Sequence, residues 1–323
     1  MRDLPTTSAT AGTDWLRTGR LFGELQDLKR QQPAHLKHTI ATDLFVRAWR
    51  LLLDGEDAAQ TADYITARAL TNVLLPGCDE TFFGPAGLDE AQTTAILRRG
   101  LRATAGDRLS PALLARLDAQ VERLSAEYHA EADVALPTEL PPALKTLCRQ
   151  ARAGATRPGY ARLVLLPPEM HSDHCLLTAV YAVIAGAAYG ADAGTAFLGA
   201  LAHHLQNAIL PDCGFSGEML LEDLLDDVMR TCRQRALEQF EPALRTRIET
   251  ALRHHESIAA PEGRAISAGD VLDRVLDVKW RTRAAAVTDG DILGELDLVH
   301  AGPLKDFQTD LLNVTQLWQM PSN

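Results

Sequence analysis

The 323-residue sequence predicts an all-α fold with few strands or none. Ala and Leu recur throughout, and hydrophobic residues make up 46% of the chain but aromatic residues only 5%, a composition typical of helical proteins. Apolar residues repeat at helical spacing in one segment after another. Signals that end helices stand between these segments, as at Pro76-Gly77, since proline removes a backbone donor and glycine permits a turn.

A smaller helical N-terminal module is expected in the first part of the chain. Its predicted helices cover residues 14–30, 39–53, 57–75, 89–104 and 110–130. The last of these has a strong start signal, because Ser110 can cap a helix and Pro111 suits the first helical position. His35, His38 and His129 stand apart from one another, so we interpret them as ordinary surface or core residues.

A domain boundary is predicted at residue 136, which divides the chain into residues 1–136 and 137–323. Residues 136–142 contain three prolines, a composition typical of linkers. A short helix is expected at residues 142–153. Residues 160–166 are apolar and are interpreted either as a short strand or as a buried extended segment.

Charge and cysteine content exclude several classes of protein. The formal net charge is -11, the pI is about 5.4, and no run of Lys or Arg exceeds two residues, so we expect no nucleic-acid partner. Five cysteines without a CxxC pair indicate reduced thiols. The chain start lacks a signal-peptide core and no apolar run is long enough to span a bilayer. These features predict a cytoplasmic protein without a membrane partner.

Six of the ten histidines lie between residues 167 and 277, in pairs at the ends of predicted apolar helices. The pairs are His171 and His174, His203 and His204, and His254 and His255. The first pair begins a helix that is apolar on nearly every face, and residues three apart share one face of a helix. The second and third pairs end the helices predicted at residues 192–205 and 242–255.

A fourth helix, from residue 265 to about residue 286, carries Asp270, Asp273 and Asp277 on one stripe. Arg274 and Arg281 follow two of these aspartates at ion-pair spacing, so the stripe has two interpretations. It is either a solvated, ion-paired face or part of a buried site. Burying many ionisable groups costs several kcal/mol unless they are paired or bind a cation. Imidazole and carboxylate together suit Fe, Mn, Zn and related divalent metals.

The order of these motifs resembles the HD-domain superfamily of metal-dependent enzymes. His171 and His174 precede His203 by 32 and 29 residues, similar to the family's spacing from its first histidine to its His-Asp pair. The segment from His203 to Asp212, His-His-Leu-Gln-Asn-Ala-Ile-Leu-Pro-Asp, resembles the family's His-Asp-Ile-Gly-Lys-x-x-x-Pro-Asp. His-His-Glu at residues 254–256 and Gly-Asp-Val-Leu-Asp at residues 269–273 resemble its later motifs. The likeness covers residues 165–285.

The resemblance implies a helical HD-like bundle and a set of site residues. The metal ligands that it implies are His171, His174, His203, His254 and Asp270. It also implies a catalytic role, in orienting water or moving a proton, for His204, His255 and Asp212. Two departures stand out, since His204 replaces the aspartate of the pair and Asn207 replaces the usual lysine. The loss of one negative charge favours a one-metal centre, or none, over a two-metal centre.

Three functions follow from the resemblance. The first is metal-dependent hydrolysis of a phosphate ester, in which the metal activates water. The second is an HD-type iron oxygenase that acts on a small organic substrate. The third is a catalytically inactive ligand-binding or interaction module. We expect a divalent metal, Fe or Mn before Zn, Mg or Ni, a small-molecule substrate and a homodimer. His300 either reaches the site or lies on the surface.

Overall fold

The computed structural model describes residues 15–130, 139–154, 166–255, 257–282, 299 and 301–316, and this part of the chain has an all-α fold. The helices are α1 (Trp15–Leu25), α2 (Ile40–Leu53), α3 (Ala58–Leu74), α4 (Glu90–Ala105), α5 (Pro111–Asp118), α6 (Val121–His129), α7 (Pro142–Leu147), α8 (His171–Tyr189), α9 (Ala193–Ala202), α10 (Phe215–Glu218), α11 (Leu225–Leu237), α12 (Pro242–His255), α13 (Pro261–Thr282) and α14 (Lys305–Val314). None of these helices combines the length and apolar character needed to cross a bilayer.

The predicted helices are confirmed, with differences at their ends. The segment 110–130 forms two helices, α5 and α6, and the helix expected at 142–153 ends at Leu147. Helix α9 ends at Ala202, so His203 and His204 follow the helix instead of lying in its last turn. The sequence analysis did not predict α11, a polar helix of which only Ala236 and Leu237 are buried.

Three predictions lie outside the described residues. The proposed domain boundary at residue 136 falls in the segment 131–138, most of the apolar segment 160–166 falls in 155–165, and His300 is also outside. Helices on both sides of the predicted boundary contribute to one continuous hydrophobic core. Helix α3 packs against α8 and α9, and α2 also packs against α8.

Helix α8 lies at the centre of the fold. Nearly all of its residues are buried, as expected for a helix that is apolar on every face. It packs most extensively on α13, and a Cβ atom added to Gly269 would lie 2.4 Å from the carbonyl oxygen of Thr178. Thr178 is one turn from His174, and Gly269 precedes Asp270. The glycine thus permits a close helix contact next to the predicted site.

A buried lysine joins the N-terminal helices to α13. Lys29, in the 3₁₀ turn after α1, is fully buried, contacts Glu169, and lies 2.7 Å from Asp273 and 3.9 Å from Asp277. The Gln26 amide donates to Asp273 as well, at 2.8 Å. Burial alone would lower the pKa of Lys29, but the three carboxylates raise it above its usual range. The lysine is therefore held as a cation inside the core.

Replacing this lysine should destabilise the whole fold. Lys29→Met leaves the buried Asp273 carboxylate without a cationic partner, and loss of one partner of a buried ion pair costs about 3–5 kcal/mol. Denaturant unfolding at pH 7.5 should show a fall of this size in the free energy of unfolding. Lys145→Met is the matched control, since Lys145 pairs with Glu139 on the surface and its loss should change the midpoint far less. Similar midpoints for the two variants would contradict the structural role assigned to Lys29.

Candidate metal centre

Two histidines and one aspartate meet at the contact of α8, α9 and α13. The Nε2 atoms of His174 and His203 are 3.1 Å apart. The Oδ1 atom of Asp270 lies 3.4 Å from Nε2 of His174 and 4.0 Å from Nε2 of His203. All three residues belong to the ligand set predicted from the sequence. The structure brings them together although His174 and Asp270 are 96 residues apart along the chain.

The three ligand atoms have the spacing that one metal ion requires. A triangle with sides of 3.1, 3.4 and 4.0 Å has a circumradius of about 2.1 Å, and zinc binds histidine nitrogen and carboxylate oxygen at about 2.0–2.2 Å. One point therefore lies at bonding distance from all three atoms. His174, His203 and His204 also form a group that could hold a metal ion.

Hydrogen bonds at Nδ1 fix the tautomers of both histidines. Nδ1 of His174 is 2.6 Å from Oδ2 of Asp273, and Nδ1 of His203 is 2.5 Å from the carbonyl oxygen of Ala200. Because both partners are acceptors, Nδ1 carries the proton in each ring and Nε2 carries the lone pair. Two lone pairs that face each other at 3.1 Å repel unless a cation or a proton lies between them. Metal-binding histidines characteristically use their second nitrogen in this way.

The other predicted histidines at this end of the bundle surround the centre. The ring centroid of His204 lies 4.2 Å from that of His203, 5.0 Å from that of His174 and 5.2 Å from that of His171. Nδ1 of His204 faces the side-chain oxygen of Asn207 at 2.9 Å. Hence Asn207 holds the His204 ring in place.

His171 and Asp212 lie at one edge of the cluster. Nδ1 of His171 faces the carbonyl oxygen of Gln150 at 3.1 Å, and its Nε2 lies 3.6 Å from Oδ2 of Asp212. The Asp212 carboxylate accepts hydrogen bonds from the backbone amides of Ala153 and Gly214 at 3.0 and 2.9 Å. Of the two candidates for the first ligand, the structure thus brings His174 to the centre and His171 beside it.

The pair at the end of α12 differs from its sequence-based assignment. His254, the predicted ligand, is half-buried, and its Nδ1 lies 4.0 Å from Oε2 of Glu262. His255, the predicted proton carrier, has its ring centroid 5.6 Å from that of His203. Neighbouring residues of a helix point about 100° apart, so only one of the pair faces the cluster. This arrangement favours His255 over His254 as the neighbour of the metal centre.

The acidic stripe of α13 is a buried site and not a solvated face. The side chain of Asp273 is fully buried and that of Asp277 is nearly so. The expected ion pairs do form, since Arg281 contacts Asp277 at 2.8 Å and Arg274 contacts Asp270 at 3.4 Å. The surface interpretation was wrong because Lys29, distant in sequence, supplies the charge that compensates Asp273.

Sequence reasoning missed Lys29, Arg152 and Glu169. A short antiparallel bridge between Ala151 and Met170 brings Arg152 and Glu169 together, and the backbone amide of Arg152 donates a hydrogen bond of 2.8 Å to the carbonyl oxygen of Glu169. The Arg152 guanidinium then lies 3.7 Å from the Glu169 carboxylate. Glu169, His174 and Asp273 could also hold a metal ion, but the Lys29 ammonium group contacts both carboxylates of this group.

Charged side chains surround the histidines. Ion pairs join four carboxylates to four cationic side chains, so these charges balance; they are Glu169, Asp270, Asp273 and Asp277 with Lys29, Arg152, Arg274 and Arg281. Burial lowers the pKa of His203 and His204 well below the usual range, and the neighbouring imidazoles lower it further. Burial acts to raise the pKa of Asp270, but Arg274 and His174 hold it well below the ordinary value. Near pH 7 His203 is thus a neutral imidazole and Asp270 an ionised carboxylate.

No protein-family model matches the chain, and no curated protein or solved structure matches it either. The chemistry of the site therefore follows from the positions and charges of its own residues. Within the part of the chain that the structure describes, groups of His, Asp and Glu can hold a metal ion.

Two variants should lose metal to different degrees, and a third, the control, should keep it. Asp270→Asn removes a ligand charge and should abolish binding, whereas Asp273→Asn removes an outer hydrogen-bond partner of His174 and should weaken binding about 10–100-fold. His129→Ala is the control, because His129 contacts Thr93 away from the centre, and it should bind as wild type does. Elemental analysis and competition with a chelator measure the series. Equal metal content in all three would contradict the assignment.

Acid pH should destabilise the metal-free protein through its buried histidines. Burial, with the charge of Arg152, lowers the pKa of His171 to about 4, so the folded state favours the neutral ring. The stability that this gives is complete above the ordinary pKa of about 6.5 and is lost as the pH falls below it. Asp173 acts oppositely, since burial raises its pKa to about 6 and its protonation stabilises the fold as the pH falls.

A variant isolates the histidine contribution. Between pH 7.5 and 5.5, with chelator present, wild type should lose about 1 kcal/mol more unfolding free energy than His171→Asn, which cannot titrate. Denaturant unfolding at the two pH values measures this difference, and the effect of Asp173 is common to both proteins. An identical pH dependence in the two proteins would be evidence against a neutral, buried His171.

Proposed function

We propose that this chain is a metal-dependent phosphohydrolase of the HD type that acts on a phosphate ester of a small molecule. His174, His203 and Asp270 hold one divalent cation in this proposal. The observation that supports it is the pair of imidazole lone pairs facing each other at 3.1 Å, with the Asp270 carboxylate at the same point. Mn or Fe fits a mixed imidazole and carboxylate set.

Such a cation lowers the pKa of a bound water and polarises a phosphoryl oxygen. The remaining roles belong to the side chains around it. His204 has its Nδ1 proton held by Asn207 at 2.9 Å, so its Nε2 is free of that proton and can accept one from water. Burial and the neighbouring rings lower the pKa of His204, which keeps it in the basic form needed for this role.

Asp212 and His255 complete the proposed site. The two backbone amides that bind Asp212 fix its carboxylate 3.6 Å from His171, where it orients that ring. His255 is partly exposed and its ring centroid lies 5.6 Å from that of His203, so it can pass a proton between the centre and solvent.

Hydrolysis of a generic phosphate ester tests the proposal. Protein purified without chelator should contain about one metal ion per chain and hydrolyse p-nitrophenyl phosphate when Mn²⁺ is present. His203→Ala should lose both metal and activity, and His204→Asn should keep metal but lose about 10²-fold or more in kcat, the usual contribution of a general base. His129→Ala should retain both properties.

A second candidate function is an HD-type iron oxygenase. Two histidines and one carboxylate are also the ligand set of many non-haem iron oxygenases, and the His-for-Asp replacement at His204 leaves this set without a second carboxylate. Protein that contains iron, is coloured and oxygen-sensitive, and does not hydrolyse the ester would favour this candidate. Substoichiometric metal without hydrolysis would contradict both enzymatic functions and would favour a non-catalytic module.

A further inference from the structure

Three charged side chains of the metal centre are partly exposed. The side chains of Lys29, His174 and Asp273 are fully buried, whereas Asp270 retains 21% of its exposure. Arg152 and Arg274 retain 20% and 18%. Among the charged side chains of the centre, Asp270 and these two arginines thus keep the largest exposed fractions.

Both arginines carry buried N–H groups without a hydrogen-bond partner. Nη1 of Arg152 and Nε of Arg274 are buried, and neither has an acceptor within hydrogen-bonding distance among the described residues. The nearest carboxylate oxygen to Nη1 of Arg152 is that of Glu169 at 3.7 Å, which is too long for a hydrogen bond. A buried charged donor left without an acceptor costs free energy, so the site lacks an acceptor that a ligand can supply.

Both arginines also act on the same ligand of the metal centre. Nη2 of Arg274 lies 3.4 Å from Oδ2 of Asp270, and Oδ1 of that carboxylate faces His174 and His203. Burial acts to lower the pKa of Arg152, but the carboxylates around it, above all those of Glu169 and Asp270, raise it above its usual range. Arg274 therefore contacts the carboxylate that faces the cation position, and the charge of Arg152 interacts with the same carboxylate.

We infer that Arg152 and Arg274 form an oxyanion-binding site beside the metal centre, and that its ligand is the dianionic phosphoryl group of a phosphate monoester. This inference rests on the proposed function and names its substrate class. Guanidinium groups present N–H donors in a planar fork that matches phosphoryl oxygens. A divalent cation added to the balanced ion pairs of the centre gives it two positive charges, which favours a dianion over the monoanion of a diester.

Binding of inorganic phosphate to the metal-loaded protein tests the inference. Isothermal titration calorimetry should show that Arg152→Gln weakens phosphate binding about 10–100-fold, the usual effect of losing a hydrogen bond to a charged group, with metal content unchanged. Arg149→Gln removes the same charge from an exposed residue three positions earlier and should change the affinity less than about twofold. Arg152→Lys, which keeps the charge but not the fork, should lie between them.

Two outcomes separate this inference from the proposed function. Metal-loaded Arg152→Gln that binds phosphate as tightly as wild type overturns the anion site while leaving the hydrolase proposal in place. Wild-type protein that is found to contain no metal when purified without chelator contradicts the hydrolase proposal. Phosphate binding that depends on Arg152 in that metal-free protein would still support the anion site. Wild-type protein that binds no phosphate with or without added metal overturns the anion site. In an active enzyme, Arg152→Gln should also raise KM for p-nitrophenyl phosphate more than for its bis(p-nitrophenyl) diester.

Discussion

The hydrogen bond between His174 and Asp273 is the interaction on which the rest of the centre depends. Asp273 is fully buried and would be costly there unless it were paired. It accepts hydrogen bonds from His174, Lys29 and Gln26, and these three partners come from α8 and from the chain at the end of α1. One carboxylate thus fixes the tautomer of a proposed ligand and joins the N-terminal helices to the metal centre. The contact at Gly269 brings the two central helices close enough for this bond to form.

This connection makes the N-terminal part of the chain a component of the site. Lys29, which neutralises the buried carboxylates, belongs to this part of the chain. Two hydroxyl groups also hold Asp173 at the start of α8: those of Thr39, the cap of α2, and Thr42, in α2, donate to Oδ1 of Asp173 at 2.5 and 2.8 Å. A division of the chain into a helical module and a separate metal domain at residue 136 stays a prediction. The hydrogen bonds described above nevertheless cross that division at the centre of the site.

Sequence alone predicted the helices and most of the residues that meet at the centre, because apolar periodicity and ligand-type side chains are local signals. His174, His203 and Asp270 could be selected in this way. The choice between His254 and His255 could not, since it depends on which face of α12 turns inward. The burial of Asp273 could not be predicted either, because Lys29, which compensates its charge, lies 244 residues away along the chain. Arg152 stands in a short non-helical segment where no periodic pattern indicates its neighbours.

The charges of the candidate centre favour one metal position over two. His204 is neutral, so the group of His174, His203 and Asp270 has a single anionic ligand. The second group with metal-binding geometry, Glu169, His174 and Asp273, already has the Lys29 ammonium group between its carboxylates. The Lys29 ammonium group therefore occupies the position that a second metal ion would need. Arg152 and Arg274, which are partly exposed, remain as the positive groups available to an anionic substrate.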